Sequence, residues 1–126
     1  MEPQAEPAAA RGSDVLILDD EPQLSEMLAL VLGRDHRVRV AGSARDAFAM
    51  IAERLPDVLL CDLMLGGETA GGFLRAVKCR WPGVWCVLHT GAAIERWHGL
   101  LRDSVVDAIL IKPADYEQIV GAVTAR

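Results

Sequence analysis

The chain has 126 residues, a length that fits one domain and leaves no room for two. Its 13 Lys and Arg residues against 18 Asp and Glu residues give a formal charge of −5, and no basic run is present, so direct nucleic-acid binding is not expected. Hydrophobic residues make up 52% of the chain, which excludes a wholly disordered protein. No apolar run exceeds six residues, so neither a membrane span nor a membrane partner is predicted.

The three cysteines point to a reducing compartment. Cys61 lies in an apolar run, and Cys79 and Cys86 are seven positions apart, which fits neither a zinc site nor a disulfide framework. We therefore predict a cytoplasmic location. Residues 1–13, rich in Ala, Pro and Glu, do not resemble a signal peptide and are predicted to be a flexible N-terminal tail ahead of a domain over residues 14–126.

Short apolar runs and helical patterns alternate along the rest of the chain. The first, third, fourth and fifth runs are continuous, as in buried strands, whereas the second alternates with arginines, as in an edge strand. The five predicted strands are Val15–Leu18, His36–Ala41, Val58–Cys61, Val84–Leu88 and Ala108–Ile111. A helical pattern follows each strand, and this β-α order, five times over, predicts a parallel sheet with helices on both faces.

Residues that are typical of helix starts and ends set the expected helix limits. Pro22 is suited to the first turn of the first helix, and Gly33 to its end. Ser43 and Asp115 are suited to cap the second and fifth helices. The fourth helix is expected within Ala92–Leu101.

The residues that follow the predicted strands carry the chemistry. Asp19 and Asp20 follow the first strand, Asp62 the third, Thr90 the fourth and Lys112 the fifth. In a doubly wound parallel sheet these carboxyl ends share one edge, where ligands bind. Three neighbouring carboxylates repel each other unless a cation lies among them, and oxygen ligands favour Mg²⁺ where phosphate is also bound. A lysine and a hydroxyl can bind phosphoryl oxygens, and an aspartate beside them is a possible phosphoryl acceptor.

Four segments together resemble the receiver domain of two-component response regulators. They are Leu16–Pro22, Pro56–Met64, His89–Gly91 and Lys112–Pro113. Each motif is weak alone, but their order and their places at strand ends make a specific signal. The resemblance implies a flavodoxin-like, doubly wound (βα)5 fold with a five-stranded parallel sheet in the order 2-1-3-4-5.

The resemblance also implies a metal site. By analogy with the family, Asp20 binds Mg²⁺ directly and Asp19 binds it through water. Asp62 and the backbone carbonyl of Met64 complete the protein ligands. No other cofactor is expected, because the chain has neither a P-loop nor a GxGxxG motif.

The remaining family roles concern the phosphoryl group. Asp62 would accept it from a phosphohistidine donor, on a histidine kinase or a phosphotransfer protein. Thr90 and Lys112 would bind its oxygens, and the Lys112–Pro113 peptide would be cis.

Two features depart from the family pattern. The family usually has an aromatic residue three positions before the lysine, where this chain has Ile109. The loop after Asp62 contains two glycine pairs, Gly66–Gly67 and Gly71–Gly72, with an apparent insertion of one or two residues. We expect this loop to be more mobile than in the family.

The leading interpretation is a phosphorylation-controlled signalling domain that acts by changing its protein contacts. It would be a monomer or weak dimer, with no enzymatic chemistry beyond self-phosphorylation and autodephosphorylation, and either a stand-alone regulator or part of a longer chain. Two alternatives stay open: a receiver-like module that binds its partner without phosphorylation, and a phosphatase with an aspartate nucleophile. Among single residues, Arg37 and Arg39 are expected on a solvated strand face and His89 at a strand end. Trp97 is expected in the core, with a partner-facing patch as the alternative.

Overall fold

A computed structural model describes residues 12–126, so the first eleven residues of the predicted tail lie outside the described part of the chain. Ser13, which was also assigned to that tail, is buried, and its backbone N–H donates to His36 Nδ1 at 2.9 Å. The packed part of the chain therefore includes Ser13. Within residues 12–126, no helix is both long and apolar enough to cross a membrane.

Strands and helices alternate along the described chain. In chain order the elements are β1 (Asp14–Leu18), α1 (Pro22–Leu32), β2 (Arg37–Ala41), α2 (Ala44–Glu53), β3 (Val58–Cys61), β4 (Met64–Leu65), β5 (Glu68–Thr69), α3 (Gly71–Arg80), β6 (Trp85–Thr90), a 3-10 turn (Ile94–Arg96), α4 (His98–Arg102), β7 (Ala108–Ile111) and α5 (Tyr116–Thr124).

Five of these strands form one parallel sheet in the order β2-β1-β3-β6-β7. The β4–β5 pair is a separate antiparallel hairpin, so the order of the five parallel strands along the chain is 2-1-3-4-5. The predicted flavodoxin-like fold is confirmed. This topology places the carboxyl ends of β1, β3, β6 and β7 side by side at one edge of the sheet.

Alternating strand residues fill two cores, one on each face of the sheet. Leu16, Leu59 and Leu88 face α2 and α3, whereas Ile17 and Leu60 face α1 and α5. Because both faces are covered, the central strands β1 and β3 read as continuous apolar runs, which is why the sequence revealed them.

The predicted helix caps are present. Ser43 Oγ accepts the Asp46 N–H at 3.1 Å at the start of α2. At the start of α5, Asp115 Oδ1 accepts the Gln118 N–H at 2.8 Å, and Gln118 Oε1 accepts the Asp115 N–H at 2.9 Å. This reciprocal pair is a capping box.

The fourth helix differs from the expectation. The region predicted as one helix over Ala92–Leu101 is a 3-10 turn followed by the five-residue α4. Trp97 lies between them, only 9% exposed, and its indole Nε1–H donates to the Ala92 carbonyl at 3.1 Å. Burying this ring interrupts the helix, and the alternative that Trp97 forms a partner-facing patch is wrong.

The β2 edge of the sheet also corrects one expectation. The Arg39 side chain is only 17% exposed rather than solvated, and its guanidinium donates to the carbonyls of Met50 and Arg54. It also pairs with Asp14 at 3.3 Å. Arg39 therefore ties the edge strand to the end of α2.

The loop after Asp62 forms the β4–β5 hairpin. Leu65 pairs with Glu68 across a two-residue turn made by Gly66 and Gly67. Both glycines have positive φ, +59° and +85°, as a type I′ turn requires. The glycine pair makes a tight turn, in a conformation that glycine adopts without strain. The greater mobility expected of this loop stays a prediction.

Candidate functional site

Polar side chains meet where the parallel strands end. Asp19 and Asp20 follow β1, Asp62 follows β3, Thr90 ends β6, and Lys112 follows β7. The sheet order makes these strand ends neighbours, as the sequence predicted. A cavity of about 610 Å³ lined in part by Gly12, Ser13 and Asp14 lies at the opposite edge, away from these side chains.

A repeated local turn fixes three of the five side chains. Asp19 Oδ1 accepts the Glu21 N–H at 2.9 Å, and Asp62 Oδ1 accepts the Met64 N–H at 3.3 Å. Thr90 Oγ1 accepts the Ala92 N–H at 3.0 Å. Each is a side-chain oxygen bonded to the amide two residues on, a geometry that Asp and Thr favour where a strand turns away.

The three carboxylates form one cluster. One oxygen each from Asp19, Asp20 and Asp62 lies within 4.8 Å of the others. Asp19 is only 4% exposed, and burial raises the pKa of its carboxyl, with the like charges of Asp62 and Glu21 acting in the same direction. The Glu21 N–H and the Lys112 charge oppose this rise.

Lys112 is the cation of the cluster. Its Nζ lies 3.0 Å from Asp62 Oδ2 and 3.7 Å from Asp19 Oδ2. Although burial lowers the pKa of Lys112, its hydrogen bond to Asp62 and the surrounding carboxylates raise it above the ordinary value, so the ammonium stays charged. A backbone hydrogen bond holds this residue in place, because the Lys112 N–H donates to the Thr90 carbonyl at 2.9 Å. The Lys112–Pro113 peptide is cis, as predicted.

The donor set fits a hard divalent cation. Three carboxylates and one ammonium leave a formal charge of −2, which a dication would balance. Only oxygen ligands are offered, as Mg²⁺ prefers. Met64 pairs with Thr69 as the non-hydrogen-bonded pair of the hairpin, so its N–H and carbonyl both lie outside the ladder, and its N–H donates to Asp62 Oδ1.

Thr90 is at the shared edge but is not bonded to the acids. It is only 1% exposed, and within residues 12–126 its hydroxyl makes no hydrogen bond to Asp62 or Lys112. Its oxygen instead accepts the Ala92 N–H, so Thr90 is linked to the segment that leads to the 3-10 turn.

Sequence reasoning missed two contributors. Gly66 donates its N–H to Asp20 Oδ2 at 2.6 Å, and the Gly–Gly pair between Leu65 and Glu68 was the signal that could have revealed the hairpin. His89 is only 4% exposed, and its buried Nδ1 has no hydrogen-bond partner among residues 12–126. Burial first, and then the nearby Lys112 charge, lower the pKa of His89.

Comparison with known proteins agrees with this geometry. Residues 15–124 match the family model of the response regulator receiver domain. The chain is 33% identical over 113 residues to the DNA-binding response regulator MtrA of Mycolicibacterium smegmatis, covering 89% of this chain and 49% of MtrA. It is 29% identical over 108 residues to the transcriptional regulatory protein ZraR of Salmonella typhimurium, covering 84% of this chain and 24% of ZraR.

Solved structures show the same architecture. The receiver domain of NtrX from Brucella abortus superposes with a TM-score of 0.78 at 26% identity, covering 85% of this chain and 92% of that one. A CheY-like receiver domain protein from Methanospirillum hungatei has a TM-score of 0.82 at 22% identity, over 88% and 90% of the two chains. The present chain spans about half the length of MtrA and about a quarter of ZraR. By its family match, its strand order and the acids gathered at its strand ends, the chain belongs to the receiver domains of two-component response regulators.

Proposed function

We propose that Asp62 is the phosphoacceptor of this receiver domain. Accepting a phosphoryl group is the function of the family, and the supporting observation here is the 3.0 Å contact between Lys112 Nζ and Asp62 Oδ2 beside two further carboxylates. Of the three acids, Asp62 is the one that accepts a hydrogen bond from Lys112 Nζ, at 3.0 Å, whereas the Asp19 carboxylate lies 3.7 Å from it. It is also only partly buried, so a donor can reach it.

The chemistry is a transfer between two side chains. An Asp62 carboxylate oxygen forms a bond to phosphorus while the bond from phosphorus to the donor's imidazole nitrogen breaks, and the imidazole leaves as the neutral histidine of the partner after it takes up a proton. Lys112 then has a phosphoryl oxygen as an alternative acceptor near Asp62. Thr90 can donate its hydroxyl proton to another phosphoryl oxygen while its own oxygen still accepts from Ala92.

The metal is assigned to the same cluster. Asp20, Asp62 and the Met64 carbonyl would hold Mg²⁺ directly, and Asp19 would hold it through water. When bound, the ion would supply positive charge against the phosphoryl oxygens. Asp19, Asp20 and Asp62 bring the required oxygen donors to one place without it.

The proposed partners follow from this role. The donor is a histidine kinase or a phosphotransfer protein, and the output is a change in protein contacts rather than turnover of a substrate. The domain would act as a monomer or weak dimer in the cytoplasm. DNA binding is a property named for MtrA, of which this chain spans about half.

A second candidate is a constitutive binding module, favoured by one observation. Ile109 stands where the family usually has an aromatic residue, and it packs against the core on the α4 face. A β-branched aliphatic side chain cannot swing a ring between core and solvent. A domain that lost the switch could still bind a partner, so phosphorylation itself must be measured.

The test is chemical phosphorylation followed by intact mass. Acetyl phosphate with Mg²⁺ should add one phosphoryl mass to the wild type and none to Asp62→Asn, and removal of Mg²⁺ by a chelator should abolish the addition. Asp35→Asn is the matched control, because Asp35 is exposed at the opposite edge of the sheet and should label as the wild type does. A folded wild type that takes up no phosphoryl group would overturn the proposal and favour the binding module.

A further inference from the structure

Asp20 differs from the other two acids in how it is held. Asp19 and Asp62 each accept the N–H two residues on, whereas Asp20 has no such local bond in the described chain. Its hydrogen bond comes from Gly66, 46 positions away, at 2.6 Å to Oδ2. The carboxylate that the proposed function needs as a direct ligand is therefore fixed by the hairpin.

The hairpin supplies amides to two of the acids. In an antiparallel pair, backbone groups alternate between facing the partner strand and facing away. The Met64 N–H faces away and reaches Asp62, and two residues on, the Gly66 N–H reaches Asp20. The β4–β5 hairpin thus orients both ligands, and its tip does so for Asp20.

We propose that Gly66 is the positioning residue for Asp20 and sets the divalent-cation affinity of the site; this rests on the proposed function, because it assumes that Asp20 ligates the cation. Asp20 is exposed, so without this contact its side chain would be free to rotate, and ordering it would weaken binding. A carboxylate has about four lone-pair sites, so a bond to Oδ2 leaves capacity for a cation. Loss of such a supporting hydrogen bond typically weakens metal binding 10–100-fold.

The requirement at position 66 is conformational rather than steric. A Cβ built on Gly66 meets no atom within 4 Å, so a side chain there would extend into open space. The positive φ of +59° is what aims the N–H, and Asn tolerates this region whereas β-branched Val does not. Gly66→Asn and Gly66→Val therefore form a matched pair, differing in whether the type I′ turn is retained.

The experiment combines cation titration with an NMR signal. Mg²⁺ affinity is measured by calorimetry for the wild type, Gly66→Asn and Gly66→Val, each first shown to be folded by thermal unfolding in a chelator. We expect Gly66→Asn to bind as the wild type does and Gly66→Val to bind about 10–100-fold more weakly. In the cation-free wild type, the Gly66 amide proton should lie downfield and should move upfield in Asp20→Ala, which removes the acceptor.

The outcomes separate the two proposals. A Gly66→Val variant that binds the cation as tightly as the wild type, or more tightly, would overturn the positioning role alone, since the wild type would still bind. A wild type that binds no cation would overturn this inference together with the metal assignment. Should Gly66→Val fail to fold, the amide shift decides: a Gly66 resonance unmoved by Asp20→Ala, which removes the acceptor, would overturn the inference.

Discussion

Short backbone hydrogen bonds define the site at the residue scale. Asp19, Asp62 and Thr90 each follow or end a strand, and the side-chain oxygen of each accepts the backbone N–H two residues later, where the chain turns. These bonds hold the oxygens in place before any ligand arrives, so little reorganisation is needed on binding. Lys112 partly balances the repulsion among the acids, and a formal charge of −2 is left for a cation.

His89 offers a stability test at this scale. Strand alternation places it on the same face as Val87, where its buried Nδ1 has no hydrogen-bond partner in the described part of the chain and its pKa is lowered from 6.5. His89→Leu should raise the free energy of unfolding by about 1–2 kcal/mol at neutral pH, since an unsatisfied buried polar atom is removed. Urea denaturation measures this.

The pH dependence follows from the direction of the His89 shift. A depressed pKa means that the unfolded chain takes up the proton first, so wild-type stability is lost as pH falls below 6.5 toward the lower folded value. The advantage of His89→Leu should therefore widen below that pH. His98→Gln, at an exposed position, is the control and should change neither the free energy of unfolding at neutral pH nor its dependence on pH. A constant or narrowing gap would contradict this account.

At the scale of elements, the helix caps and the buried strands were predicted correctly, whereas the interruption of the fourth helix and the hairpin after Asp62 were not. The capping by Ser43 and Asp115 and the buried run of β3 depend on a few neighbouring residues, so the sequence was sufficient to predict them. The interruption before α4 depends on where the Trp97 ring is buried, which only the tertiary structure decides. The Gly66–Gly67 turn had a local signal, but its contact with Asp20 depends on the meeting of distant segments.

The capping box of α5 is a measurable contribution of one element. Asp115→Ala removes the acceptor of the Gln118 N–H and should lower the free energy of unfolding by about 1 kcal/mol. Asp115→Asn, which keeps a side-chain oxygen, should recover most of that loss. Thermal or urea unfolding of the three proteins gives the comparison, and equal stability of the Ala variant and the wild type would show that the cap contributes nothing.

At the scale of the whole molecule, the sheet order assembles residues that are far apart in sequence. Asp19, Asp62 and Lys112 follow strands that the order β1-β3-β6-β7 brings together, so the sequence predicted their meeting once the parallel alternation was recognised. The same order links Thr90 to Lys112 by a backbone bond and, through Ala92, to the turn at Ile94–Arg96. Hydrogen bonds thus connect Asp62, through Lys112 and Thr90, to the segment that precedes α4.

These hydrogen bonds predict that phosphorylation of Asp62 changes the structure around α4 in this domain, which has Ile109 in place of the usual aromatic residue. Beryllium fluoride with Mg²⁺, used as a phosphoryl mimic, should shift backbone amide resonances over residues 90–101, because Thr90 would move toward the mimic on Asp62 and draw with it the Ala92 amide that its oxygen accepts. Thr90→Ala should reduce these shifts, and Ile109→Val should leave them nearly intact. A coupling of about 1–3 kcal/mol would change partner affinity 5–150-fold. Shifts confined to the neighbourhood of Asp62 would instead favour the constitutive binding module.

Mapping the modified residue tests most directly whether Asp62 carries the phosphoryl group. After treatment with acetyl phosphate and Mg²⁺, borohydride reduces an aspartyl phosphate to homoserine, and peptide mass spectrometry then locates the converted residue. We predict conversion at Asp62, with Asp19 and Asp20 unchanged in the same digest and no conversion in Asp62→Asn. Homoserine at Asp19 or Asp20, or conversion that persists in Asp62→Asn, would contradict the account.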